Sequence, residues 1–245
     1  MKSLIRLAGR NISIDSLNSE VHELCDDYRV EGSIDFYVKT TKEDIDFERA
    51  QSIREAEQEG YSPYPYSDSY LETLAVYRKI AERMPNYDTF LFHGSCVAVD
   101  GVSYLFTAKS GTGKSTHTRL WRKLLGGCAV MVNDDKPLIR LTGHTADAYG
   151  TPWDGKHHLS RNISVPLKAI CILERGVQNS IKEITRKQAL PMLIQQTYRP
   201  YDPIALQKTL TLLDRMDVRL YRLSCNMDIS AAELSYNTMK GCAKG

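Results

Sequence analysis

The 245-residue sequence predicts an α/β fold with a mixed parallel and antiparallel central sheet, preceded by a small α+β region. Three observations predict it. A strand-like run, "VSYLFTA", leads directly into the glycine-rich stretch "KSGTGKST" and then into a helical pattern, the order of a phosphate-binding-loop core. The dipeptide Asp100-Gly101 is a tight-turn signal that makes this strand an antiparallel neighbour of the apolar run before it. Beyond the loop, helical and strand-like segments alternate to the end of the chain. The expected division is 1–88 for the α+β region and 89–245 for the loop-bearing domain.

The elements follow in order. "KSLIRLAGRNISID" and "GSIDFYVKTT" have strand character, the second with Ile34, Phe36 and Val38 alternating. "LNSEVHELCDDY" between them has helical spacing at Val21, Leu24 and Cys25. "KEDIDFERAQSIREAEQEG" reads as a solvated helix ending at Gly60, and the proline-bearing "YSPYPYSDSY" cannot be regular. Asp68 or Ser69 is expected to cap a helix through "LETLAVYRKIAERM". "TFLFHGSCVAV" is the apolar run before Asp100-Gly101. After the loop comes the helix "KSTHTRLWRKLLGG", with Leu120, Trp121, Leu124 and Leu125 on one side. "CAVMVN" is a strand ending at Asp134, followed by "KPLIRL", a Thr142-Gly143 turn and "TADAYG". "VPLKAICILER" reads as a buried strand. Helices "RKQALPMLIQQTY" and "PIALQKTLTLLDRM", a strand "VRLYRLSC" and a helix near "AAELSYNTM" complete the chain.

The net charge is only +2, which argues against a dedicated nucleic-acid binder. No apolar run is long enough to cross a membrane, and the first residues lack a signal-peptide core. None of the six cysteines (Cys25, Cys96, Cys128, Cys171, Cys225, Cys242) forms a C-x-x-C pair, so reduced thiols in a cytoplasmic protein are expected.

Ala108–Ser115 fits the phosphate-binding-loop pattern, with alanine where the opening glycine usually stands. Gly111 and Gly113 let the backbone curl so that amides face phosphate oxygens, and the following helix adds the positive end of its dipole. Ser110, Gly111, Thr112, Gly113, Lys114, Ser115 and Thr116 are the expected nucleotide-binding residues. Lys114 reaches the outer phosphates, and the Ser115 hydroxyl is placed to ligate Mg²⁺. Asp134 and Asp135 end a strand where a metal carboxylate is wanted. One of the two can hold the metal and the other can take a proton from an attacking hydroxyl, with a solvated turn as the competing reading. The loop Tyr149–Asn162 carries Lys156, His157, His158 and Arg161, and Arg161 and Lys156 are expected to neutralise charge in the transition state. The two histidines suit solvent or substrate contact better than metal. His117 could approach the metal or phosphates or lie on the helix surface, and for His93 core packing is the plainer reading.

At "FTAKSGTGKST", "VNDD" and the hairpin before them, the sequence resembles the HPr kinase/phosphorylase superfamily, whose nucleotide core is shared with phosphoenolpyruvate carboxykinase. The resemblance spans about Leu91–Arg175 and implies a kinase-like nucleotide-binding domain with ATP and Mg²⁺. It also implies Lys114 and Ser115 as phosphate and magnesium ligands, and the aspartate pair as metal ligand and base. Residues 1–88 match no amino-terminal domain of that family, and its substrate-docking loop is not found.

The expected function is ATP- and Mg²⁺-dependent phosphoryl transfer to a hydroxyl, a serine of a protein or peptide. The alternatives are carboxykinase-like transfer to a small molecule and a non-catalytic ATP-binding regulator. The expected partners are a nucleotide and an unidentified protein, peptide or small-molecule acceptor, with no nucleic acid and no membrane. Self-association into a homo-oligomer stays open.

Overall fold

The computed structural model describes residues 1–155 and 157–241, and the chain divides into two compact units, Met1–Arg83 and Met84–Gly245.

In the first unit, β1 (Lys2–Leu7) and β2 (Arg10–Asp15) form an antiparallel hairpin, and β3 (Phe36–Lys39) adds parallel to β2. Alternate residues Ile5, Leu7, Ile12 and Ile14 are buried, as period-two patterning requires. Ile34 lies before β3 and is exposed, so the expected alternation starts only at Phe36. Three helices complete the unit: α1 (Glu20–Leu24), α2 (Lys42–Glu59) and α3 (Asp68–Arg83). Ser67 caps α3, its Oγ accepting from the Tyr70 amide at 3.2 Å, because the helix already includes Asp68 and Ser69. Glu72 is fully buried on α3, yet its carboxylate accepts from the Leu17 and Asn18 amides and from Thr40 Oγ1. A buried charge persists only with such a full set of donors.

The second unit holds a curled mixed sheet in the order β4 (Thr89–Leu91), β8 (Leu138–Thr142), β9 (Thr145–Tyr149), β10 (Ser164–Arg175), β6 (Val102–Thr107), β5 (Ser95–Val99), β7 (Val130–Asn133). β12 (Arg219–Cys225) also pairs with β10, and β11 (Ser180–Glu183) with β12. The twelve-residue β10 organises the sheet. Its first residues pair antiparallel with β9; from Leu167 it runs parallel to β6, across an irregularity between Leu167 and Ala169, and from Ala169 it runs parallel to β12 as well. Thr107, Arg175 and Cys225 are thus the carboxyl ends of three parallel strands, where α/β sheets place their ligands.

β5 and β6 form the expected hairpin, turning at Asp100 and Gly101 with φ of 52° and 79°. The run "TFLFHGSCVAV" is two strands rather than one. At its break the Phe92, His93 and Gly94 amides donate to the Pro137, Gln196 and Asp135 carbonyls, so the chain leaves β4 before β5 begins.

Alternation along β6 sends Tyr104 and Phe106 to one face and Leu105 to the other. On the first face α4 (Lys114–Leu125) and α7 (Ile229–Lys240) bury Trp121 and Met239. On the second, α5 (Arg186–Gln196) and α6 (Pro203–Arg215) bury Leu193, Leu212 and Leu213. Leu124 is exposed, because the buried stripe of α4 runs through His117, Thr118 and Trp121. Among the described residues no helix is long and apolar enough to cross a membrane.

Candidate functional site

β6 ends at Thr107, and Ala108 is buried where the chain turns into the glycine-rich loop, so a small side chain suffices there. Gly111 and Gly113 take φ of 71° and 118°, which L side chains rarely adopt. Thr112 N–H closes a turn on the Lys109 carbonyl at 3.2 Å. Among the described residues, the amides of Gly111, Gly113, Lys114, Ser115 and Thr116 donate to no acceptor. Gly113 supplies no side-chain cap to α4, so the positive end of the helix is open as well.

Lys114 is half-buried, its Nζ 3.4 Å from the Ala108 carbonyl. Burial pulls its pKa down, and the opposing charges of Asp135 and Asp134 push it up, so lysine and both acids share one electrostatic neighbourhood. Asp134 is buried, and its Oδ1 accepts from Ser95 Oγ at 2.5 Å. Ser95 in turn meets Thr118 of α4 at 2.8 Å. The other Asp134 oxygen accepts no hydrogen bond among the described residues.

Asp135 faces His93, Oδ1 to Nε2 at 3.2 Å, with Lys136 Nζ 3.7 Å from its second oxygen. Burial alone would raise the Asp135 pKa; the His93 hydrogen bond and the charges of Lys136, His93 and Lys114 outweigh it and hold the carboxyl below its ordinary range. His93 is therefore the partner of Asp135 and not a core residue. Asn133 sets the posture of the acid pair. Its Oδ1 accepts from the Asp135 and Lys136 amides at 2.8 and 2.6 Å, and its Nδ2 donates to Thr151 and Trp153.

Those bonds fasten the loop Tyr149–Asn162 beside the acids. Asp154 is nearly buried and holds the loop from within, accepting from the Ser160 amide and pairing with His158. His157 is exposed on this loop. Arg161 is placed by its backbone, its amide 3.3 Å from the Val132 carbonyl, while its side chain is exposed and makes no hydrogen bond or ion pair among the described residues. Lys156 lies outside the described residues, as does Cys242.

His117 neither meets a metal ligand nor lies on the surface. It is buried with its ring edge on Phe106 and its Nε2 3.0 Å from Ser235 Oγ, and burial lowers its pKa to about 4. Ser235 gives its own proton to the Ala232 carbonyl and accepts from Trp121 Nε1, so His117 carries its proton on Nε2.

Two cavities flank α4. The larger, about 650 Å³, is lined by Gly111, Gly113, Leu120, Leu173, Val177 and Met227. The smaller, about 430 Å³, is lined by Ser115, Thr118, Arg119, Arg122, Asp134 and His157. Ser115 and Asp134 thus open into one space. Among the described residues no three His, Cys, Asp or Glu side chains form a metal cage.

The model of the family described as SynChlorMet cassette protein ScmC matches residues 68–228, more than half of the chain. The chain belongs to this family. No curated protein matches. Among solved structures, the Hpr(Ser) kinase/phosphatase from Coxiella burnetii is 9% identical, with a TM-score of 0.33 over 62% of this chain and 99% of that one. A likeness of that size fixes neither fold nor activity. The ScmC match spans the glycine-rich loop, the acid pair and both cavities.

Sequence reasoning missed Ser95, His93 as a partner and Arg175 in this candidate site. Arg175 Nη2 donates to the Gly111 carbonyl at 2.6 Å and ties the loop to the end of β10. Its only sequence signal is that it ends a strand parallel to the one feeding the loop.

Proposed function

We propose that this ScmC-family chain is an ATP- and Mg²⁺-dependent kinase that phosphorylates a hydroxyl, with a serine of a protein or peptide as the acceptor. One observation carries the reading: a row of unengaged amides at a helix start, beside a half-buried lysine that feels two adjacent acids. The amides and Lys114 bind the triphosphate. The nucleoside occupies the larger, mostly apolar cavity at the ends of β10 and β12.

The donor set fits magnesium. Ser115 and Asp134 offer hard oxygens in one cavity, one Asp134 oxygen is uncommitted, and magnesium needs only one or two protein ligands. The ion would neutralise charge on the outer phosphates when bound. Asp135, kept ionised by its surroundings, takes the proton of the acceptor hydroxyl. The acceptor oxygen bonds to the γ-phosphorus as its bond to the β–γ bridging oxygen breaks, giving a phosphorylated acceptor and ADP. His93 orients Asp135, and Arg161 is the cation assigned to the outer oxygens of the transferring group.

The test is incubation of the chain with γ-labelled ATP and a native extract, with labelled products identified by mass spectrometry. The kinase reading expects a labelled species that disappears with Asp135→Asn. Intact ATP and no labelled product would favour a nucleotide-binding regulator.

A further inference from the structure

Arg119 and Arg122 stand three residues apart on α4, so they share a helix face. Both line the 430 Å³ cavity, joined by His157 from the facing loop. Asp134 is the sole carboxylate residue on its wall among the described residues. Neither guanidinium has an ion-pair or hydrogen-bond partner among the described residues. Arg78, by contrast, pairs with Asp44 and Glu48, and Arg222 with Glu174. Two uncompensated guanidinium forks beside one cavity match a carboxylate or phosphate, which such groups grip bidentately. Ser115 and Asp134 open into the same space, so its occupant lies next to the phosphates.

We propose that the smaller cavity holds the anionic end of the acceptor, an anion-bearing hydroxyl compound whose carboxylate or phosphate sits on Arg119 and Arg122 while its hydroxyl reaches past Asp134 toward Asp135, which is not on the cavity wall. The inference rests on the kinase reading and adds the substrate class to it. Two sources share this chemistry: a serine beside an acidic side chain in a peptide, in keeping with the acceptor proposed above, and a free hydroxy acid, which would replace the peptide as acceptor while leaving the phosphoryl transfer itself unchanged.

Calorimetry in two stages tests it. The chain is first titrated with Mg·AMP-PNP. The loaded protein is then titrated with two matched pairs, D-glycerate against glycerol and a Gly-Ser-Asp peptide against its Gly-Ser-Asn amide. One anionic member should bind at least about tenfold more tightly than its neutral counterpart, roughly tenfold for each guanidinium engaged. Preference within the first pair identifies a free acid, and within the second a peptide. R119Q/R122Q should erase the preference, and R119K/R122K should restore part of it through point charge alone. The proposal is overturned if neither pair shows an anion preference, or if R119Q/R122Q keeps it. Failure at the first stage removes the kinase reading together with this proposal, and its place in the sequence tells the two failures apart.

Discussion

The His117 imidazole, with its pKa lowered from 6.5 to about 4 by burial, couples the second unit to pH. A depressed histidine stabilises the fold fully above the unfolded value and loses that contribution as pH falls toward the folded one. Between pH 6.5 and 4 the wild type should lose up to about 3 kcal/mol that His117→Gln does not lose. Denaturant unfolding followed by tryptophan fluorescence across that window measures it, and equal pH slopes would refute it. Asp135→Asn should lower phosphoryl transfer by about a hundredfold or more, with nucleotide affinity little changed. Single-turnover rates and a binding titration separate the two effects. That Lys114, Ser115, Asp134 and Asp135 come together could be expected from the sequence, because a loop pattern and a strand end are local signals. Ser95, Ser235 and Arg175 could not, because each acts on a residue far along the chain and is otherwise an ordinary serine or arginine.

The joint between α4 and α7 rests on Ser235, which serves Trp121, His117 and the Ala232 carbonyl at once. Ser235→Ala leaves a buried indole N–H without an acceptor and should destabilise the unit by about 1–3 kcal/mol. A denaturant midpoint lowered by that free energy divided by an unchanged slope is the expected readout. Gly150 marks a second tight joint. A Cβ there would overlap the Arg161 carbonyl and come within 2.7 Å of the Val132 carbonyl, both backbone. Gly150→Ala should therefore push the loop Tyr149–Asn162 off β7, exposing it to proteolysis that the wild type resists. At this scale the hairpin at Asp100-Gly101, the loop helix and the long buried strand were legible, since turn chemistry and periodicity act over a few residues. The division of "TFLFHGSCVAV" was not, because hydrogen bonds to distant carbonyls break it. β11 escaped notice too: "SIKE" is a short, mostly exposed strand with no apolar alternation to announce it.

Across the whole chain, the thiols report what is packed. Cys25 and Cys96 are buried with pKa values pushed up to about 12, Cys171 is buried and raised well above its usual value, and Cys128 is exposed. A brief maleimide pulse should label Cys128 in the native protein and spare the other three until unfolding, as read by peptide mapping. The mixed α/β sheet was foreseeable from alternating segments, but its curl was not. The curl comes from β10, which is antiparallel to one neighbour and parallel to two others, and that pairing exists only in three dimensions. It gathers the ends of β6, β10 and β12 around the glycine-rich loop, with Asp134 and Ser115 sharing a cavity beside it. The central claim is that this assembly grips Mg·ATP through Lys114 and the open amides. Isothermal calorimetry with Mg·ATP tests it most directly, using wild type and Lys114→Ala. The account predicts one saturable site, weakened about tenfold or more by the substitution. Absence of a binding heat in the wild type, or equal affinity in Lys114→Ala, would contradict it.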